Sequence, residues 1–166
     1  MTPPTIKKLL LVCAGNICRT PMAEALFRHR MRRRPLLAQI TVESAGTIAL
    51  DGNVPCGDVV EVMQLKFGVD VSGHRAQSFT TEIAADLILT MDQSTTDEVK
   101  AAGGTVPVEM LGDFVGTGEE VHDPYGGPPS GYRRTLRELD RLVTAALDRI
   151  EADAASLQRI RRDAYR

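Results

Sequence analysis

Cys13 and Arg19, with five residues between them, could together carry out covalent chemistry on a phosphate. A cysteine thiolate is a strong nucleophile, and a positive surrounding suits it. An arginine offers a planar fork that holds two phosphate oxygens at once. The spacing alone arises often by chance, so its weight comes from its neighbours. Leu9-Leu10-Leu11-Val12 follows Lys7-Lys8 and reads as a buried strand ending at Cys13. Ala14-Gly15-Asn16 can turn tightly, because Gly and Asn tolerate unusual backbone angles. Thr20-Pro21 then reads as a helix start, with Thr20 as N-cap and Pro21 at the first helical position. A strand, a short loop and a helix N-terminus make an anion site from unpaired N–H groups and the helix dipole. The loop N–H groups of Ala14, Gly15, Asn16, Ile17 and Cys18 are thus expected to cradle a phosphate above Cys13. That is the arrangement for a phosphocysteine intermediate.

The chain that carries this loop has 166 residues, enough for one domain with a core of its own. Residues 1–152 are read as that domain and 153–166 as a charged, helical C-terminal extension. A net charge of −2 gives no general attraction to nucleic acid or to a membrane surface. Three cysteines, two of them in the loop, do not make a secreted disulfide framework. No Cys/His cluster completes a metal site, and no cofactor is expected. The run after Lys7-Lys8 is too short for a signal peptide, and no segment has transmembrane length. The expected location is the cytoplasm. Arg28, Arg30, Arg32, Arg33 and Arg34 gather at one helix end, as a solvated terminus or a docking patch for acidic partners.

The elements that must position the loop follow in order. A first helix is expected over 21–34, with Ala23, Leu26, Phe27 and Met31 as its inward stripe and Pro35 as its stop. Gln39 to Glu43 alternates as an edge strand, and Ser44 to Thr47 reads as a loop. A second helix is expected to start at Asn53-Val54-Pro55 and to close at Gly68. Leu87-Ile88-Leu89 is a third strand, 94–102 a polar helix and 106–111 a fourth strand. Gly112 to Gly131 reads as one long functional loop, followed by a helix from Tyr132. Strands alternating with helices imply an α/β fold: three layers, with a parallel sheet covered on both faces. Ligands bind such sheets beyond the carboxyl ends of the strands, where Cys13 falls.

Cys13 to Pro21 resembles the signature of the low-molecular-weight protein tyrosine phosphatase family. Similarity continues through Met22-Ala23-Glu24, Glu43 to Thr47, Gly73 to Gln77, Asp86 to Asp92 and Asp123-Pro124-Tyr125. The resemblance implies a four-stranded doubly wound sheet and hydrolysis of phosphotyrosine, with Cys13 as nucleophile and Arg19 as phosphate clamp. From the residues alone the general acid stays open among Asp51, Asp92, Asp113 and Asp123. The family's acid loop matches Asp123-Pro124-Tyr125, which selects Asp123. The resemblance further implies that Thr20 steadies the thiolate, that Asn16 and Ser44 hold the loop, and that His74 lies near them. It implies a reversible Cys13–Cys18 disulfide under oxidation, and Cys56 reads as a small core residue.

The pocket wall departs from the family's aromatic rims, offering Leu50 on one side and Tyr125, followed by Gly126, on the other. Arsenate reductases share the scaffold but need cysteines that Met91 to Ala102 lacks. Arginine phosphatases resemble one another in carrying Thr where this chain has Ile17, which favours phosphotyrosine here. A phosphoprotein-binding module without turnover would need a broken nucleophile, clamp or acid. The implied partners are a phosphotyrosine protein and, by analogy with bacterial relatives, a cognate tyrosine kinase.

Overall fold

The structure is a computed structural model, and it describes residues 5–166. Lys8–Cys13 forms β1, and every residue in it from Leu9 onward is buried. A strand buried on both faces belongs in the middle of a parallel sheet. Thr41–Gly46 (β2), Leu87–Thr90 (β3) and Val108–Met110 (β4) complete it in the order β2-β1-β3-β4, all parallel. β2 lies at the edge, as its alternation predicts.

Side-chain alternation along β1 divides the core. Leu9, Leu11 and Cys13 join one cluster with α1 (Arg19–Met31), α2 (Gly57–Phe67) and the later α5 (Pro129–Ala164). Leu10 and Val12 point the other way, onto Val99 of α3 (Gln93–Ala101). The result is the expected three-layer α/β arrangement. It puts Cys13 at the carboxyl end of a central strand, with the start of α1 directly after the loop.

Several boundaries differ from the sequence expectation, each for a physical reason. α1 begins at Arg19 with Cys18 as its N-cap, so Thr20 lies inside the first turn and caps nothing. The helix ends at Met31, and Pro35–Leu37 forms a separate 3-10 turn. β2 runs on through Ser44 and Ala45, which pair with Leu11 and Val12 and are buried by doing so. Asn53 does not start α2: its carbonyl accepts from Ala76 N–H at 2.9 Å, and the helix begins at Gly57. Gly68 closes α2 at φ 64°, a conformation that suits glycine.

The stretch from Gly112 to Gly131 is not one loop. A short α4 (Leu111–Phe114) opens it, and α5 starts at Pro129, where a missing N–H costs nothing. Leu136, Leu139, Val143, Ala146 and Ile150 are buried at helical spacing along α5, each large side chain contributing roughly 2 kcal/mol. The helix continues without a break to Ala164, exposed from Gln158 onward. Arg30 and Arg34 bond Asp140 and Asp148 of α5 at 2.7 and 2.8 Å, and Arg28 donates to Val42 O of β2 at 2.7 Å. Arg28 and Arg30 therefore fasten α1 to its neighbours, and Arg34 fastens the segment after it; Arg32 and Arg33 remain exposed. Among the described residues no helix is long and apolar enough to cross a membrane.

Candidate active site

The backbone of the loop bends at Asn16, whose φ of 57° is the positive value for a non-glycine among the described residues. Such a conformation costs about 1 kcal/mol and persists only where surrounding bonds enforce it. Here they do. Asn16 is fully buried, its Nδ2 donates to Ser44 Oγ at 2.9 Å and to Thr20 Oγ1 at 2.8 Å, and its Oδ1 accepts from Gln77 N–H at 2.9 Å. The Asn16 carbonyl accepts from His74 Nε2 at 2.7 Å, which fixes the proton on that ring nitrogen. Ser44 Oγ in turn donates to Glu24 Oε2 at 2.7 Å, and Gln77 Nε2 donates to Ser44 O at 2.8 Å. Asn16, Ser44 and His74 were legible in the sequence as a group; Glu24 and Gln77 were not assigned roles, although both lie in the quoted similarity blocks.

This network shapes a floor for an anion. The Asn16 N–H points at Cys13 Sγ over 3.3 Å. Thr20 Oγ1 lies 3.1 Å from the same sulfur. Because Thr20 already accepts from Asn16 Nδ2, its own proton is free to be donated to the sulfur. Two donors are thus aimed at one sulfur.

Arg19 covers the floor from the first turn of α1, almost fully buried. Its Nη1 donates to Asp92 Oδ2 at 2.6 Å and to Val121 O at 3.2 Å. Its Nη2 lies 3.7 Å from Asp123 Oδ2. Burial alone would weaken the Arg19 charge, but the bond to Asp92 and the surrounding anions outweigh it and raise the pKa. Asp92 caps α3, accepting from Thr95 N–H at 2.8 Å. Burial works to raise the Asp92 pKa, yet the Thr95 N–H and Arg19 hold it below the usual carboxylate range. Asp92 is thereby committed to orienting the guanidinium.

Of the remaining acid candidates, Asp51 accepts from Ser78 N–H at 2.6 Å and Asp113 lies in α4. Asp123 keeps a side chain 53% exposed at the mouth, with Oδ1 accepting from Tyr125 N–H at 3.2 Å. The buried thiol, the oriented guanidinium and the exposed carboxyl converge from β1, α1 and the segment before α5. They form the constellation for phosphoryl transfer to sulfur and on to water.

A family model described as low molecular weight phosphotyrosine protein phosphatase matches residues 8–156. The chain belongs to that family. It is 38% identical over 151 residues to a probable low molecular weight protein-tyrosine-phosphatase of Ralstonia nicotianae, covering 89% of this chain and 98% of the relative. A crystal structure of a low molecular weight protein tyrosine phosphatase from T. tengcongensis superposes with a TM-score of 0.78 at 34% identity, covering 86% of this chain and 98% of that one. A protein-arginine-phosphatase of Bacillus subtilis is 31% identical over 150 residues, covering 87% and 97% of the two chains. The chain is accordingly a hydrolase of the low-molecular-weight protein-tyrosine-phosphatase type that works through a cysteine.

Large apolar side chains stand exposed on the loop after β2 and on the segment before α5. Leu50 and Tyr125 are 72% and 68% exposed on their two loops, joined on the first side by Ile48. The first loop hangs on the phosphate loop itself, with Thr47 N–H and Ile48 N–H donating to Cys13 O and Ala14 O at 3.0 Å each. Ile17 is half-buried, packs against the main core, and its carbonyl accepts from Cys56 N–H at 3.1 Å. Among the described residues no group of three or more His, Cys, Asp or Glu side chains could hold a metal ion.

One glycine sets how closely β2 approaches the loop. A Cβ on Gly46 would collide with Ala14 O and meet Asn16 N and Ala49 Cβ at 3.0 Å. Gly46→Ala is therefore expected to displace the loop backbone and destabilise the protein by about 2 kcal/mol, the usual scale of overpacking. Urea unfolding measures the stability loss, and phosphate titration should show weaker binding. Wild-type values in both would mean that the loop has room to spare.

Cys56 meets its sequence expectation in part. It packs against the main core as expected but is only half-buried, at the N-cap of α2, and its Sγ lies 2.6 Å from Cys18 Sγ. Cys18 thus gives the phosphate site its backbone, while its thiol faces α2.

Proposed function

We propose that this phosphatase hydrolyses phosphotyrosine on proteins through a phosphocysteine at Cys13. The Cys13 thiolate attacks phosphorus, the S–P bond forms, and the ester P–O bond breaks. Arg19 and the N–H groups from Ala14 to Cys18 bind the equatorial oxygens, where charge develops in the transition state. Asp123 gives its proton to the leaving phenol oxygen. A water then attacks phosphorus, Asp123 takes its proton, the S–P bond breaks and phosphate departs. Thr20 steadies the thiolate, Asn16 and Ser44 keep the loop in shape, and Leu50 and Tyr125 flank the substrate ring. The observation that carries this reading is a thiol facing two donors beneath an arginine that Asp92 holds at 2.6 Å.

A second reading comes from the arginine phosphatase relative at 31% identity. Phosphoarginine presents the same phosphoryl group on nitrogen, and the cradle would accept it equally. Ile17 argues for tyrosine: an apolar side chain packed to the core accepts no hydrogen bond from the N–H groups of a guanidinium-bearing substrate. A binding module without turnover is disfavoured, because nucleophile, clamp and acid are all in place. The implied partner is a tyrosine kinase whose products this enzyme reverses. A cytoplasmic setting suits it, because Cys13 must stay a free thiol.

The test is initial-rate phosphate release from matched phosphotyrosine and phosphoarginine peptides, with Cys13→Ser as the blank. Phosphotyrosine is expected to be the faster substrate by at least about tenfold, the scale of a pocket that lacks one wanted contact. Faster phosphoarginine release would reverse the substrate assignment, and none from either would remove the catalytic one. Asp123→Ala should slow release of the poor leaving group, phosphotyrosine, by about 10²-fold. An activated aryl phosphate, whose leaving group needs no proton, should be cleaved at close to the wild-type rate. Equal losses on both would move the general acid elsewhere.

A further inference from the structure

Cys18 and Cys56, 38 positions apart, place their sulfurs 2.6 Å from each other, closer than unbonded sulfurs rest. Each occupies a helix N-cap, Cys18 before α1 and Cys56 before α2. The two segments are already in register, because Cys56 N–H donates to Ile17 O at 3.1 Å. Tyr132 of α5 lies against both thiols and is itself buried. Cys18 is buried, whereas Cys56 is only half-buried, so an oxidant can reach the pair from the α2 side. Burial also pushes the Cys18 pKa up, which slows the direct reaction of Cys18 with an oxidant.

We propose that Cys18 and Cys56 are a modification site: hydrogen peroxide joins them in a disulfide that ties α2 to the phosphate loop and leaves Cys13 a free thiol. The Cys56 thiolate attacks one peroxide oxygen, an S–O bond forms, the O–O bond breaks, and hydroxide leaves to become water. The Cys18 thiol gives its proton to the Cys56 sulfenic oxygen while its sulfur attacks the Cys56 sulfur. The S–S bond forms, the S–O bond breaks and a second water departs. Two thiols are oxidised and one peroxide is reduced, so electrons and atoms balance. The proposal replaces the expected Cys13–Cys18 pairing with one that keeps Cys18 away from the nucleophile. It does not depend on which phosphoryl group the enzyme hydrolyses.

The full-length protein is treated with hydrogen peroxide in the presence of inorganic phosphate, then alkylated and digested without reductant. Mass spectrometry should find a Cys18–Cys56 cross-linked peptide, Cys13 in alkylated form, and loss of the cross-link on adding dithiothreitol. Cys56→Ser should lose the cross-link under the same treatment; serine is a good N-cap, and a circular dichroism spectrum checks that the variant is folded. A Cys13–Cys18 peptide in the wild-type digest would overturn the proposal. So would full alkylation of Cys18 and Cys56, or their conversion to sulfinic acids without a bridge. The readout is a covalent map, so it stands or falls separately from the catalytic assignments.

Discussion

Cys13→Ser is expected to release phosphate at least about 10⁴-fold more slowly than the wild type, while still binding inorganic phosphate. A serine hydroxyl attacks phosphorus only if a base removes its proton, and the groups that face this position are donors. Asn16 presents an N–H, and Thr20 presents a hydroxyl that already accepts from Asn16 Nδ2 and is too weak a base to take a proton. A thiol needs no such base, because cysteine gives up its proton far more readily than serine and is the stronger nucleophile. Binding should respond in the opposite direction. Arg19 and the loop N–H groups that hold the phosphate all remain, and a neutral hydroxyl adds no charge to oppose the phosphate dianion. Calorimetric titration should therefore show an equal or smaller phosphate Kd alongside the lost turnover. A serine variant that turns over within about tenfold of wild type would place the nucleophile elsewhere.

The part of the molecule that was legible in the sequence is the part whose geometry is local. The apolar run to Val12, the turn at Gly15-Asn16 and Pro21 together place a strand, a loop and a helix within a dozen residues. Alternation of strand and helix patterns gave the parallel sheet, because only crossovers connect parallel neighbours. What stayed hidden depends on which distant residue meets which. Asp92 reaches Arg19 across 73 positions, and Gln77 reaches Asn16 across 61; no spacing rule encodes either contact. Asp92 stood among the acid candidates, yet its local pattern of an N-cap before Thr95 already set it apart from a free acid. The helix start was misplaced by two positions, with the N-cap at Cys18 and not at Thr20. That offset turns a backbone cap into a hydroxyl that faces Cys13. Ser44 and Ala45 read as loop because strand propensity is weak there, and pairing with β1 decides the outcome. Cys56 reads as core by type, and only the fold brings Cys18 to it.

Arg19→Lys is expected to lower kcat/KM by about 10³-fold, while thermal unfolding changes little. The charge is conserved, so Asp92 keeps a cationic partner and no buried carboxylate is orphaned. Geometry is what is lost. Arg19 spends one nitrogen on Asp92 and Val121 O, which leaves the rest of its planar fork for two phosphoryl oxygens. A lysine ends in a single nitrogen whose donors radiate from one point, so serving Asp92 draws it away from the phosphate. The loss should fall mainly on kcat, since the fork matters most when the equatorial oxygens carry the transition-state charge. Asp92→Asn offers the complementary measurement. It keeps a hydrogen-bond acceptor for Arg19 but removes the ion pair, and should cost about tenfold through looser orientation. A lysine variant only about tenfold slower than wild type would mean that positive charge alone suffices at this position. Asp92→Asn would then have little left to disturb, so measuring the two substitutions together separates charge from shape.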